Sequence, residues 1–83
     1  MNTTVFVTNI PFRAEKEDVE ALCSQFGTVN NVSLVTDRET GKKRGFGFVE
    51  MSTPEEAEAL IAGLDGMEYM GRDLVAREAR QRS

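Results

Sequence analysis

Arg44-Gly45-Phe46-Gly47-Phe48-Val49-Glu50-Met51 sets small or aliphatic residues alternately with large or charged ones. Side chains flip with period two along a strand, so Gly45, Gly47, Val49 and Met51 share one face. Arg44, Phe46, Phe48 and Glu50 share the other. Small and aliphatic side chains allow close packing beneath helices, which predicts that the glycine face is covered and the phenylalanine face bare. Thr4-Val5-Phe6-Val7-Thr8 repeats the pattern, with Val5 and Val7 inward and Phe6 and Thr8 outward.

The flanking segments supply the covering layer. Thr4 to Thr8 reads as a first strand, stopped by Asn9-Ile10-Pro11. Val19, Leu22, Cys23 and Phe26 then form one apolar helical stripe, with Gly27 expected at the C′ position. Ala14 or Glu15 marks the start of this helix poorly. Val29 to Val35 reads as a second strand, with Val32 and Leu34 on one face and Ser33 and Val35 on the other. A polar loop from Asp37 to Lys43 leads into the third. Thr53-Pro54-Glu55-Glu56 is a capping box with proline at the first helical position. Ala57, Ile61 and Leu64 are expected to form the buried stripe of this second helix, closed by Gly63, Asp65 and Gly66. Arg72 to Ala79 is expected as a fourth strand with Leu74 and Ala76 facing the core, followed by the basic tail 80–83. The predicted order is β-α-β-β-α-β. It implies one α+β, ferredoxin-like domain over residues 1–83 (core about 4–79), with a four-stranded antiparallel sheet and both helices on one face.

Composition narrows the chemistry. The chain of 83 residues has no histidine and one cysteine, Cys23. The commonest general base is therefore missing, and a paired-cysteine metal site is excluded. No cluster of carboxylates, lysine and Cys23 is arranged for catalysis, so no enzymatic activity, cofactor, metal or small-molecule substrate is expected. No run of about 18 apolar residues is present, and no membrane association is expected. The lone Cys23, read as a core residue, fits a reduced, cytoplasmic setting.

Net charge is −4, which is unfavourable for a phosphate-rich partner. Its distribution matters more than its sum. Seven of the 14 acids lie in the two helical segments, together with a single base, Lys16. The remainder carries seven acids and nine bases, so the sheet side is mildly positive and the helix side negative.

Three phenylalanines on a bare sheet face mark a binding surface. Nucleobases present flat π-faces, and a stacked base contributes roughly 1–3 kcal/mol. Phe46 and Phe48 stand about 6.6 Å apart along the strand, which suits unstacked bases laid over successive rings. Arg44, beside Lys42 and Lys43, has the forked geometry to hold a phosphate.

Val5-Phe6-Val7-Thr8-Asn9-Ile10 resembles the hexamer of the RNA recognition motif, and Arg44 to Met51 resembles its octamer. The octamer matches the family pattern at seven of eight positions, the free one included. The resemblance extends over the whole chain and is closest to small single-domain RNA-binding proteins of bacteria and cyanobacteria. It implies that Phe6 and Phe48 stack on bases, that Phe46 packs on sugars and that Arg44 meets the backbone. It also implies that Asn9, Arg77, Ala79 and Arg80 touch the nucleic acid at the sheet edge. Met51 departs from the family, which usually has an aromatic there; the position faces the core, so the departure concerns packing. Thr8, Lys42, Lys43 and Glu50 complete the expected interface, Glu50 as an acceptor lying under bases. Phe12, Phe26 and Met67 are expected to pack, and Tyr69 and Met70 to form a hairpin lip.

The expected partner is single-stranded RNA, with single-stranded DNA and a protein-interaction role of the same fold as alternatives. The chain is expected to be monomeric. A ferredoxin-like phosphatase is disfavoured, because Asn9 to Arg13 has no run of glycines to cradle phosphate.

Overall fold

Gly47 has no side chain where strand β3 (Lys43–Met51) passes strand β2 (Val29–Thr36), and Leu34, its register partner, leans into that space. A Cβ on Gly47 would lie 2.5 Å from the Ser33 carbonyl oxygen and 3.0 Å from Leu34 Cδ2. The close approach fixes which face of β3 turns inward. Val49 and Met51 are fully buried there, together with Val32 of β2 and with Val5 and Val7 of strand β1 (Thr4–Thr8).

The computed structural model describes residues 3–79. Helix α1 (Lys16–Cys23) follows β1, and helix α2 (Pro54–Leu64) follows β3. Two short strands, β4 (Glu68–Tyr69) and β5 (Arg72–Asp73), form a hairpin before β6 (Val75–Glu78). The main sheet runs β2-β3-β1-β6, antiparallel throughout. Val19 and Cys23 of α1 and Ala57, Leu60 and Leu64 of α2 cover one face, burying Val5, Val7, Val49, Met51 and Ala76 beneath them. This is the expected ferredoxin-like α+β arrangement, and Met51 is a core residue as expected. Burial pushes the Cys23 thiol up to about 12, so it stays protonated in the core.

Several boundaries differ from the sequence expectation, each for a local reason. The fourth strand does not begin at Arg72. Leu74 donates to the Met67 carbonyl at 2.8 Å, and its own carbonyl accepts from Gly66 N–H at 2.7 Å. Its backbone is thus spent on the hairpin side, and pairing with β1 starts only at Val75. Leu74 is nevertheless buried, as expected.

Helix α1 ends at Cys23, with Ser24 rather than the residue before Gly27 as its C-cap. Phe26 lies beyond the helix and packs against α2, where a Cβ on Gly63 would come within 2.2 Å of its ring. Gly63 therefore belongs to the last turn of α2 as a contact point, not to its closure; Asp65 is the C-cap. Leu60, absent from the expected stripe, is fully buried, whereas Ile61 is only half-buried. Gly27 serves a different purpose from the one expected: a Cβ there would lie 2.7 Å from Glu56. The Glu56 carboxylate accepts from the Ser52 hydroxyl and from Thr28 N–H, tying the start of α2 to the approach to β2. These bonds, that of Ser52 foremost, lower its pKa. The Thr53 hydroxyl caps α2 as expected, accepting from Glu56 N–H at 3.2 Å. The weakly marked start of α1 is closed by Asp18, which accepts from Glu15 N–H at 2.9 Å.

Gly47→Ala is expected to destabilise the protein by about 1–3 kcal/mol in urea unfolding, because the strand backbone at Ser33 must shift to admit a methyl group. An unchanged unfolding midpoint would show that β2 and β3 do not approach this closely.

Candidate nucleic-acid interface

The uncovered face of the sheet is organised in cross-strand rows. Register places Ser33, Phe48, Phe6 and Arg77 side by side across β2, β3, β1 and β6. The next row sets Phe46 opposite Thr8, and Thr8 opposite Val75. On the far side Glu50 lies between Asn31 and Thr4, and Ala79 N–H donates to the Thr4 carbonyl at 3.0 Å.

Phe6 is the hub of the aromatic cluster. Its ring centroid is 5.2 Å from that of Phe48, tilted by 37°, and 5.7 Å from that of Phe46, edge to face at 63°. Both separations fall in the range of favourable aromatic pairs. The rings brace one another and still leave surface open: Phe48 is 39% exposed, and Phe6 and Phe46 are half-buried. The three rings thus form one cluster, from two strands that only tertiary pairing brings together.

The expected cations are less available than the sequence suggests. Arg44 Nη1 lies 3.6 Å from Asp37 Oδ2, and Arg77 Nη1 lies 3.1 Å from Asp65 Oδ1. Asp65 Oδ1 also accepts from Ala76 N–H at 3.1 Å, so one carboxylate anchors both the β6 backbone and the arginine beside Phe6. Asp37 organises the β2–β3 loop, accepting from Glu39 N–H at 2.8 Å and Thr40 N–H at 3.1 Å. Those two backbone donors, with a smaller contribution from Arg44, hold its carboxyl below the ordinary 3.8. Lys42 is exposed on the same loop, its backbone N–H donating to the Thr40 hydroxyl. The Lys43 side chain and Arg80, both expected at the interface, lie outside the described residues, as does the remainder of the basic tail.

Asn9, expected at the sheet edge, is exposed and also ties two elements together. It adopts φ of 61°, and its amide Nδ2 donates to the Asp73 carbonyl at 2.8 Å. Its amide group thus joins the end of β1 to β5. Phe12 differs from the expectation: expected to pack, it is 63% exposed, the most exposed of the large apolar residues among those described. The Arg72 guanidinium lies over its ring, 5.9 Å from the centroid. Tyr69 and Met70 do form a hairpin lip, with Met70 and Gly71 at the turn in left-handed conformations.

A cluster of phenylalanines on β1 and β3, on the face opposite two helices, is the arrangement that the hexamer and octamer imply. The sequence profile of the RNA recognition motif matches residues 5–75. The chain belongs to the RNA recognition motif family. RbpA, a protein of Nostoc sp. named for RNA binding, is 46% identical over 79 residues, covering 95% of this chain and 78% of RbpA. The crystal structure of RNA binding protein PG1 superposes with a TM-score of 0.91 at 41% identity, covering 98% of each chain. The Rna15 RNA recognition motif with bound RNA (GU) superposes with a TM-score of 0.88 at 26% identity, covering 98% of this chain and 86% of that one.

The sign of the Asp37 effect on stability is fixed by its lowered pKa. Its contribution is complete above 3.8 and is lost as pH falls through the lower folded value. NMR titration of the Asp37 carboxyl carbon is expected to give a midpoint below 3.8, with the Glu39 and Thr40 amides moving in step. A midpoint at or above 3.8 would mean that the loop does not close on Asp37.

Proposed function

We propose that this chain binds single-stranded RNA as a monomer, without catalysing a reaction on it. The reading rests on the rings of Phe46 and Phe48, both packed against Phe6 on the helix-free face. Phe6 and Phe48 take bases on their open surfaces, and Phe46 packs against the sugars between them. A paired duplex keeps its bases stacked on each other and offers none to such a platform, so a single strand is the fitting ligand. The Rna15 complex supports this reading, since a domain of the same fold holds RNA there.

Phosphate contacts contribute less. Arg44 and Arg77 already face carboxylates, and Glu50 adds a negative charge to the binding face. An incoming phosphate must compete with Asp37 or Asp65 for its guanidinium. Affinity therefore comes mainly from stacking, and preference among bases is set by edge contacts rather than by the rings.

Phe48→Ala and Phe6→Ala are each expected to weaken binding to random-sequence single-stranded RNA by roughly 1–3 kcal/mol, with the unfolding midpoint of a folded protein retained. With about two to three phosphate contacts, log K should fall against log salt with a slope of roughly −1.5 to −2. Wild-type affinity in both folded variants would overturn the proposal. A slope steeper than about −4 would show a large basic surface carrying the binding instead. Equal affinity for DNA of the same sequence would extend the ligand class to single strands of either kind.

A further inference from the structure

Beside the aromatic row lies a second row with different chemistry. Register sets Asn31 of β2, Glu50 of β3 and Thr4 of β1 side by side, on the face that carries the rings. A shift in register between Val29 and Asn31 decides which residue of β2 stands there. Without the extra residue, Asn30 would lie opposite Glu50 and Asn31 would turn toward the helices. Glu50 and Asn31 are both exposed. Among the described residues, no hydrogen bond or ion pair engages the Glu50 carboxylate or the Asn31 side-chain amide.

A free carboxylate on this face repels a polyanionic strand unless it meets something other than phosphate. The acids of the neighbouring loops have structural work: Asp37 closes the β2–β3 loop, and Asp65 holds the β6 backbone and Arg77. Glu50 has none. It lies two residues from Phe48, about 6.6 Å along the strand, so its carboxylate borders a base resting on that ring. The bases differ in what they present to it. Uracil offers one N–H between two carbonyl oxygens, which a carboxylate repels. Adenine and cytosine each offer one amino group beside a ring nitrogen that accepts. Guanine offers two adjacent donors, N1–H and the 2-amino group, which match the two oxygens of a carboxylate. Next along the guanine edge comes the O6 acceptor. A cross-strand neighbour of Glu50, with Cβ atoms about 4.5–5.5 Å apart, is within reach of it, and Asn31 carries an amide donor at that place.

We propose that Glu50 and Asn31 read guanine in the nucleotide stacked on Phe48. The carboxylate takes N1–H and the 2-amino group, and the amide donates to O6. The inference rests on the reading of the sheet as an RNA platform and adds the base preference of one of its positions. Glu50 is the selecting group, because it favours guanine and disfavours uracil at once.

Base replacement at one position tests this. Oligouridine RNA octamers, unaltered or carrying a single central guanine or inosine, would be titrated against wild type, Glu50→Ala, Asn31→Ala and Phe48→Ala. Inosine lacks only the 2-amino group of guanine. The guanine octamer is expected to bind wild type roughly ten-fold more tightly than oligouridine, with the inosine octamer between them. Glu50→Ala should weaken the guanine octamer and leave oligouridine binding unchanged or stronger. Asn31→Ala should weaken the guanine and inosine octamers alike. Equal binding of the guanine and uridine octamers by wild type would overturn the proposal. So would a guanine preference that survives Glu50→Ala, or a guanine affinity unchanged in Asn31→Ala. The Phe48→Ala variant separates the two readings. Weaker binding of every octamer by Phe48→Ala, beside a wild type without guanine preference, removes the base readout and leaves the platform. Wild-type affinity of Phe48→Ala would remove the platform on which the readout depends.

Discussion

Leu34 filling the space above Gly47 is the contact on which the remaining geometry turns. A strand has only two faces, and a slip of one residue exchanges them completely. With Leu34 opposite Gly47, Val49 and Met51 must point to the helices, and Phe46 and Phe48 must point away. The same register puts Phe48 opposite Phe6 and Phe46 opposite Thr8. The aromatic surface thus arises from the inside of the protein: the residue that admits close packing on one face determines which rings appear on the other. Phe6 then packs against both Phe46 and Phe48 and holds the aromatic face together.

Charge is divided to match. The acidic residues of α1 and α2 lie on the layer behind the sheet, where they serve the helix N-termini through Asp18 and Glu56. On the sheet side the arginines are held in place by Asp37 and Asp65. Such pairing limits the electrostatic contribution to binding but fixes the guanidinium groups beside the rings. On the proposed function, a surface of this kind gains its affinity chiefly from stacking.

Much of this was legible in the sequence, because it depends on local periodicity. The alternation from Arg44 to Met51 assigns faces without any knowledge of neighbours, and Thr53-Pro54 marks the start of α2 by cap chemistry alone. What was not legible depends on contacts distant in the chain. The apolar periodicity of α1 runs on to Phe26, yet the helix stops at Cys23, because Phe26 is needed against Gly63 on α2. The last strand reads as continuous from Arg72, but Leu74 spends its backbone on Gly66 and Met67. The Asp65–Arg77 and Asp37–Arg44 pairs follow from the placement of loops and ends. Phe12 misleads for a simpler reason: an isolated phenylalanine in a loop has no periodicity to assign it a face, and apolar character alone suggests the core. Its position directly after Pro11, outside both the strand and the helix stripe, was the one available sign.

The central claim is that ligand lies on the sheet face carrying Phe6, Phe46 and Phe48. Amide and aromatic chemical-shift mapping of the whole domain with a random-sequence RNA octamer tests it in one experiment. The largest changes are expected at those three rings and along β1 and β3, with α1 and α2 nearly silent. Changes concentrated on the acidic helices, with the three rings unmoved, would contradict the account.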